Sequence, residues 1–337
     1  MKLLKTAFGV PVLALLVVTA LSGCERPPIE TEQVGYRGTG MALIDNPRAE
    51  QPDLTYPEPQ APAAAAGPKA GAIYQNVQVL GDLSVGQFTR AMLAITQWVA
   101  PEEGCNYCHN PANLADDSMY TKVVSRRMFQ MTRDINANYT SHVQNTGVTC
   151  YTCHRGKNVP AEIWFEDAPA KAQAYSGNRM GQNIAQVDVG LTSLPANPVS
   201  YFFGKKSENL AAIRVATEDW QPTKDDGTIQ HTEMTYGLMF HMSESLGVNC
   251  NFCHNSRSFA NWPESRPQRV TAFHGTRMVS SLNNEYLIPL GPVYPDNRLG
   301  PTKDAPKANC ATCHQGVNKP LGGAQMAKDY PAALYEP

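Results

Sequence analysis

The feature that most constrains this chain is a short motif, C-x-x-C-H, which occurs four times along the sequence. Eight of the nine cysteines belong to these motifs, in pairs of identical spacing. Every pair is followed at once by a histidine. The pairs are Cys105/Cys108, Cys150/Cys153, Cys250/Cys253 and Cys310/Cys313, and the histidines are His109, His154, His254 and His314.

This motif is the attachment signature of c-type haem. Two thiols on one helical turn can each form a thioether to a vinyl group on the same edge of a porphyrin. The adjacent histidine then directs its imidazole at the iron. Disulfides or zinc sites could use the cysteine pairs, but neither requires a histidine after every pair. The sequence therefore predicts four covalent haem c groups, each carrying one iron.

The four motifs also form an internal repeat of the order A, B, A, B. The first and third motifs read CNYCHN and CNFCHN, and the second and fourth read CYTCHRG and CATCHQG. Asn136 and Asn283 occupy corresponding positions upstream of the two B motifs. The repeat predicts two haem-pair units, 84–160 and 231–318, related by a pseudo-twofold axis and joined into one body by their haems.

Each iron needs a second axial ligand, for which methionine sulfur and histidine nitrogen are the usual candidates. Before the first motif, Ser84 and Gln87 have the spacing of a capping box. The helix that follows carries Met92 on its apolar face. Met128 and Met239 occupy similar positions on the helices before the second and third motifs.

Several alternatives stay open at this stage. Ser118 is expected to cap the helix before the second motif, and Met131 shares its apolar face with Met128. The internal repeat favours Met278 as the ligand of the fourth haem, but His274 lies one turn earlier on the same face. His142, just before the second motif, is a third candidate, and periodicity does not choose among them.

The N-terminus has the pattern of an export signal. Two lysines precede an apolar run that ends at Gly23 and is shorter than the roughly 20 residues of a membrane-spanning helix. The run ends in LSGC, which resembles a bacterial lipobox. We therefore expect residues 1–23 to form a lipoprotein-type signal peptide and Cys24 to be lipidated. A non-lipidated signal peptide and an uncleaved anchor are the alternatives, and all three place the body outside the cytoplasm.

The remaining segments carry weaker signals. Residues 24–83 are rich in Pro and Ala and are expected to form an extended N-terminal arm. Residues 161–230 are expected to connect the two units, with short strands possible around 211–216, and residues 319–337 form a C-terminal tail. The predicted fold class is mainly α with long irregular segments, as in a multihaem cytochrome c. A net charge of −2 without a basic stripe argues against nucleic-acid binding.

From Cys24 onward the chain resembles the tetrahaem cytochrome subunit of purple-bacterial photosynthetic reaction centres. The resemblance rests on the lipobox, the sequence GYRGTGM, the Pro-rich stretch, the A-B-A-B order and the Met-to-motif spacings. It implies a bis-histidine fourth haem and His/Met ligation of the other three. The implied axial pairs are Met92/His109, Met128/His154, Met239/His254 and His142/His314.

The resemblance also implies a function and partners. The chain would be an electron-transfer subunit that binds the reaction-centre L and M subunits with their bacteriochlorophyll special pair, in a complex that includes the H subunit. A soluble cytochrome c or a high-potential iron–sulfur protein would be the donor. The location would be the periplasmic face of the inner (intracytoplasmic) membrane, through a lipid anchor. The third-motif haem would lie nearest the special pair and the first-motif haem farthest from it.

Two other classes of function are less favoured by the sequence. A multihaem enzyme, such as a nitrite or hydroxylamine oxidoreductase, needs an open or unusual iron site, whereas every motif here is an ordinary C-x-x-C-H. A quinol-oxidising cytochrome usually carries a spanning anchor and a smaller body; an extracellular electron conduit is the related alternative. Arg127, Arg269 and Arg277 are candidates to pair with haem propionates.

Overall fold

The computed structural model describes most of the chain that follows the predicted signal peptide. Cys24, most of the sequence GYRGTGM and the possible strands around 211–216, apart from residue 213, lie outside the described residues. The described ranges are 30–35, 41–45, 47, 51–167, 189–204, 213 and 229–335.

In the described part of the first half, a short hairpin is followed by five α-helices. The hairpin pairs its strands antiparallel, with Glu30 opposite Asp45. A 3-10 helix, Gly104–Tyr107, carries the first cysteine. The elements are β1 (Glu30–Gln33), β2 (Ala42–Asp45), α1 (Ala70–Ile73), α2 (Val85–Val99), α3 (Tyr120–Asn138), α4 (Thr140–Val143) and α5 (Cys150–His154).

The second half repeats this helical character. A 3-10 helix, Cys250–Phe252, opens the third motif, and a π-helix, Leu282–Leu287, continues α8 without a break. Further 3-10 segments among the described residues are Ile288–Val293, Asp296–Arg298, Pro320–Gly323 and Met326–Asp329. The remaining elements are β3 (Ile163–Trp164), α6 (Pro198–Phe203), α7 (Ile229–Leu246), α8 (Gln268–Ser281), β4 (Lys307–Ala308), α9 (Cys310–His314) and α10 (Pro331–Leu334).

The start of α2 confirms the predicted capping box. The Ser84 hydroxyl accepts from the Gln87 N–H at 3.1 Å, and the Gln87 side chain accepts from the Ser84 N–H at 3.1 Å. The expectation for Ser118 is wrong, because α3 begins at Tyr120. The Ser118 N–H instead donates to Asp116 at 3.0 Å, so the residues before α3 form a side-chain-stabilised turn.

Two segments hold structure that the sequence did not predict. The arm contains the β1–β2 hairpin and the short helix α1, although residues 51–68 lack helix and strand as expected. The connecting segment contains α6, whose Phe202 and Phe203 are fully buried against α7. Across the described ranges, no helix combines the length and hydropathy that a bilayer crossing requires.

The C-terminal tail closes the core of the first unit. The ring of Tyr330 meets Trp98 of α2 edge-on with centroids 4.9 Å apart, and the Arg90 guanidinium lies 3.9 Å from the Tyr330 centroid. Arg133 of α3 donates to the Ala333 carbonyl at 3.0 Å. The tail thus packs the end of the described chain against α2 and α3.

Asn136 and Asn283 make the same contacts in their respective units. Asn136 accepts from the Val148 N–H at 2.7 Å and donates to the Val148 carbonyl at 3.0 Å. Asn283 accepts from the Ala308 N–H at 2.8 Å and donates to the Ala308 carbonyl at 2.9 Å. Val148 and Ala308 each lie two positions before the first cysteine of a B motif. The repeat in the sequence is therefore also a repeat of hydrogen bonds.

Candidate haem-binding site

One continuous cavity of about 2420 Å³ runs past all four motifs. A pocket for a single small-molecule ligand measures about 300–1,000 Å³, so this cavity is large enough for several. All eight motif cysteines and all four motif histidines line it. So do the four residues implied as sixth ligands, Met92, Met128, Met239 and His142.

The two A motifs share one local geometry. In each, the carbonyl of the first cysteine accepts from the second cysteine and from the histidine, at 3.2 and 3.0 Å in the first motif and at 3.2 and 2.9 Å in the third. The asparagine that follows the histidine ties the loop to a carboxylate. Asn110 donates to Asp116 at 3.1 Å, and Asn255 donates to Glu264 at 3.2 Å.

The two B motifs share a different geometry, because each is a single turn of α-helix. The threonine inside the motif accepts from the N–H of the capping residue, Thr152 from Thr149 at 3.0 Å and Thr312 from Asn309 at 2.9 Å. The residue after each histidine is left-handed, with φ of 51° and 48°, and a glycine with φ of 75° and 82° follows it. These conformations end the helix at the histidine.

A backbone carbonyl orients each motif histidine. Because a carbonyl can only accept, the facing Nδ1 must carry the proton, which leaves Nε2 as the unprotonated, metal-binding nitrogen. Such a contact to the second ring nitrogen is typical of a histidine that ligates a metal. The residues present therefore fit a haem iron. The Nδ1-to-oxygen pairs are His109–Leu114 at 3.0 Å, His154–Lys157 at 2.9 Å, His254–Phe259 at 3.1 Å and His314–Val317 at 2.9 Å.

His142 has the same orientation although it lies outside the motifs. Its Nδ1 faces the Thr271 carbonyl at 3.0 Å, and its ring centroid lies 5.9 Å from that of His314. The structure therefore brings a histidine of the first unit to the last motif. Of the two alternatives, Met278 is only 6% exposed and packs in a core cluster with Ile135, and it also borders the cavity. His274 is not among the residues that line the cavity.

The methionines differ in their surroundings. Met92 of α2 lies beside the core of the first unit, and Met239 of α7 lies beside the core of the second. On α3, Met131 packs against the cluster of Ile135 and Met278, whereas Met128 is not part of that cluster. All three predicted methionine ligands border the cavity, as does Met131.

Burial governs the electrostatics of the motifs. It raises the pKa of the Cys150 and Cys310 thiols to about 12 and that of Cys108 and Cys253 to about 11. These thiols therefore lack the lowered pKa of a redox-active C-x-x-C pair. Burial also lowers the pKa of His314 to about 4, which favours the neutral imidazole that a metal requires.

The two B motifs lie against each other. Cys153 and Cys313 are joined by a disulfide in the structure, and the Gln315 side chain donates to the Cys153 carbonyl at 3.2 Å. The sequence did not predict this pairing. A disulfide and a thioether are alternative states of the same sulfur atoms, so only one of them can exist at these positions.

Sequence reasoning missed a polar cluster on the cavity wall. Arg298 donates to the Tyr120 hydroxyl at 3.2 Å, and Tyr107 and Tyr294 line the cavity beside them. Burial raises the pKa of Tyr294 to about 12. Tyr107 and Tyr120 come from the first half of the chain and Tyr294 and Arg298 from the second, so local sequence patterns carried no signal for their meeting.

The three arginines considered as propionate partners each lie over an aromatic ring. Arg269 and Arg277 line the cavity, whereas Arg127 is not among its lining residues. The distances from guanidinium carbon to ring centroid are 4.4 Å for Arg127 over Tyr286, 3.9 Å for Arg269 over Trp262 and 3.4 Å for Arg277 over Phe273.

Paired cysteines, carbonyl-oriented histidines and a common cavity define the site of a c-type cytochrome. Residues 25–334 match the family described as photosynthetic reaction centre cytochrome C subunit. Three similar proteins carry the name photosynthetic reaction center cytochrome c subunit. The protein of Rubrivivax gelatinosus is 53% identical, and the match covers 95% of this chain and 87% of the relative. The protein of Thermochromatium tepidum is 47% identical, with 97% of this chain and 80% of the relative covered. The protein of Roseobacter denitrificans is 46% identical, with 89% of this chain and 84% of the relative covered.

The chain belongs to the family of photosynthetic reaction-centre cytochrome c subunits. This membership confirms the predicted role as an electron-transfer subunit of the reaction centre. It also confirms that the haem is of the covalent c type.

Proposed function

We propose that the chain holds four haem c groups and relays electrons along them from a soluble periplasmic donor to the photo-oxidised bacteriochlorophyll special pair. The observation that carries this proposal is the single cavity bordered by four attachment motifs and four matching axial candidates. Each haem supplies a one-electron change at its iron, and one shared cavity keeps successive haems close.

The protein's own residues tune that chemistry. Methionine as a second axial ligand raises a haem potential, and a second histidine in its place lowers it. Three His/Met haems and one bis-histidine haem therefore give a relay of unequal potentials. The carbonyl contacts at the histidine Nδ1 atoms fix each ring and increase its basicity. Pairing His142 with His314 makes the fourth-motif haem the low-potential member.

The hairpin supports an orientation for the row of haems. Asn249 and Asn251, which flank the first cysteine of the third motif, both donate to the Ala42 carbonyl, at 2.9 and 3.0 Å. The third motif therefore lies beside the arm that leads back to Cys24. With a lipidated Cys24 at the membrane, the haem of the third motif is the one nearest the special pair.

The proposed assembly follows from this orientation. The third-motif end faces the L and M subunits, in a complex with the H subunit, on the periplasmic face of the membrane. A soluble cytochrome c or a high-potential iron–sulfur protein delivers electrons at the first-motif end. The repeated A and B geometries support a pseudo-twofold relation between units 84–160 and 231–318. A single lipid anchor is marginal for stable membrane binding, so the partner subunits supply most of the retention.

Flash absorption spectroscopy on native membranes tests the relay. After one actinic pulse, a c-type haem should be oxidised with the same kinetics as the special pair is re-reduced. Membranes that contain the reduced protein but show no light-driven haem oxidation would contradict the proposal. The electron-transfer partners would then have to be sought in quinol-oxidising or extracellular pathways.

Haem content and peptide mass test the attachment. Four haems per chain and a haem-bearing peptide from every motif are expected, with no peptide pair linked through Cys153 and Cys313. A linked pair in the haem-loaded protein would show that the B motifs keep the disulfide. The mass of the N-terminal peptide tests lipidation of Cys24, and an unmodified Met1 would contradict it.

A further inference from the structure

Helix α8 passes directly behind the ring of His142. A Cβ atom placed on Gly275 would lie 2.5 Å from His142 Cε1, 2.7 Å from Nδ1 and 3.2 Å from Nε2. Real Cβ contacts essentially never fall below 3.0 Å. Residue 275 therefore accepts no side chain while the imidazole keeps its place.

Backbone conformation does not explain this glycine. Gly275 lies in the interior of α8 and is not left-handed, so any L-residue could adopt its conformation. Glycine is among the least favourable residues in a helix interior, second only to proline. A glycine at this position therefore has a packing reason, and among the described residues the three atoms nearest the missing Cβ all belong to His142.

The same turn of α8 supplies the hydrogen bond that orients the ring. The Thr271 carbonyl faces His142 Nδ1 at 3.0 Å, and in a regular α-helix this carbonyl is also the partner of the residue 275 amide. Without a side chain at 275, the imidazole can approach that carbonyl closely. The contact fixes the proton on Nδ1 and leaves Nε2 free to bind.

We propose that Gly275 is the positioning residue that sets how far His142 extends as the axial ligand of the fourth-motif haem. The inference rests on the proposed function, in which His142 is that ligand. A methyl group at 275 displaces the ring from α8 and breaks its contact with Thr271. His142 would then be withdrawn from the position in which it would bind the fourth-motif haem, whereas the residues that would hold the other three haems are unaffected.

The test compares Gly275→Ala with two other variants in the haem-loaded protein. Gly86→Ala is the matched control, because Gly86 also lies in a helix and its Cβ would meet only ordinary contacts, the nearest at 3.5 Å. His142→Met tests the ligand itself. The readouts are the electron paramagnetic resonance spectrum of each ferric haem and a redox titration that resolves four midpoints.

We expect Gly275→Ala to change the spectrum and the midpoint potential of one haem in four, and His142→Met to change the same haem. The control Gly86→Ala should change the spectrum and the midpoint potential of none. If His142→Met alters that haem and a folded Gly275→Ala protein does not, the positioning inference is overturned and the ligand assignment stands. If His142→Met leaves that haem unchanged, the ligand assignment itself fails.

A double variant keeps the test decisive if Gly275→Ala alone does not fold. With methionine at 142, the ring that meets the added methyl is gone, so Gly275→Ala should fold in this background and cause no further change in any midpoint. A further shift of the fourth-motif haem, or failure of the double variant to fold where His142→Met folds, would show that Gly275 serves general packing and would overturn the inference.

Discussion

The imidazole rings of His142 and His314 lie with their centroids 5.9 Å apart and their planes at 68°. One belongs to the short helix α4 of the first unit, and the other ends α9 of the second. The internal repeat would instead give the last motif Met278 from its own unit. Long-range packing thus brings an imidazole from outside the repeat beside the histidine of the last motif.

His142→Met should raise the midpoint potential of the fourth-motif haem, because a thioether favours ferrous iron more than a second imidazole does. The expected shift is on the order of 0.1 V or more, within the roughly 0.8 V that axial ligands span. A redox titration that resolves the four haems measures it. If the first-motif haem moved instead, His142 would belong to a different iron.

Met128→Leu should leave the second-motif haem without its sulfur ligand and convert that haem to a high-spin form. The control is Met131→Leu on the same face of α3, where the side chain packs beside Ile135. Both substitutions nearly conserve volume, so each should cost less than about 1.5 kcal/mol of stability. Electron paramagnetic resonance distinguishes them, and a high-spin signal from Met131→Leu alone would reverse the assignment.

Short-range sequence patterns predicted the structural features that short-range interactions determine. The capping box at Ser84 and Gln87 involves residues three apart, and each motif carries its own attachment chemistry. The position of His142 depends instead on long-range contacts, because its partners Thr271 and His314 are distant in the sequence. Periodicity therefore left three candidates open, and only the family resemblance favoured His142.

The wrong expectation for Ser118 and the unpredicted packing of Tyr330 both have physical reasons. Ser118 has the side chain of a helix cap, but the Asp116 carboxylate takes its N–H and delays the helix. Tyr330 lies in a tail of short 3-10 and helical turns without any extended periodicity, so its packing on Trp98 had no sequence signal. Covalent and capping patterns are readable locally, whereas packing between distant segments is not.

Asn136→Ala should destabilise the protein, because it leaves the N–H and carbonyl of Val148 without their side-chain partner. Asn136 is 3% exposed, and each buried unsatisfied group costs about 1–3 kcal/mol. Asn138→Ala is the control, since Asn138 is exposed on the same helix and bonds only Asp134. Denaturant unfolding followed by haem absorbance compares the two variants. Equal unfolding midpoints would show that the hydrogen bonds of Asn136 to the Val148 backbone do not stabilise the fold.

Asp304→Asn should be more destabilising, because it removes the counter-charge of a buried lysine. Lys307 is 2% exposed, is paired with Asp304 and lies 4.4 Å from the Trp164 ring centroid. Breaking a buried pair on one side typically costs about 3–5 kcal/mol, whereas an exposed pair contributes about 0–1 kcal/mol. Asp296→Asn is the matched control, because its pair with Lys303 is solvent-exposed.

The effect of Asp304→Asn should depend on pH in a definite direction. Burial acts to raise the pKa of Asp304, but hydrogen bonds from Lys307, the Glu166 N–H and Thr302 outweigh it and leave this pKa below its ordinary value. A carboxyl whose folded pKa is lowered stabilises the protein fully above its unfolded pKa, about 3.9, and loses that contribution as the pH falls through the folded value.

The unfolding midpoints of the wild-type protein and of Asp304→Asn should therefore differ by a constant amount between about pH 5 and 8 and converge below about pH 4. Denaturant unfolding across this range, again followed by haem absorbance, gives the comparison. A difference that grew as the pH fell would mean that Asp304 stabilises the fold in its protonated form, and the ion pair with Lys307 would not be the source of its effect.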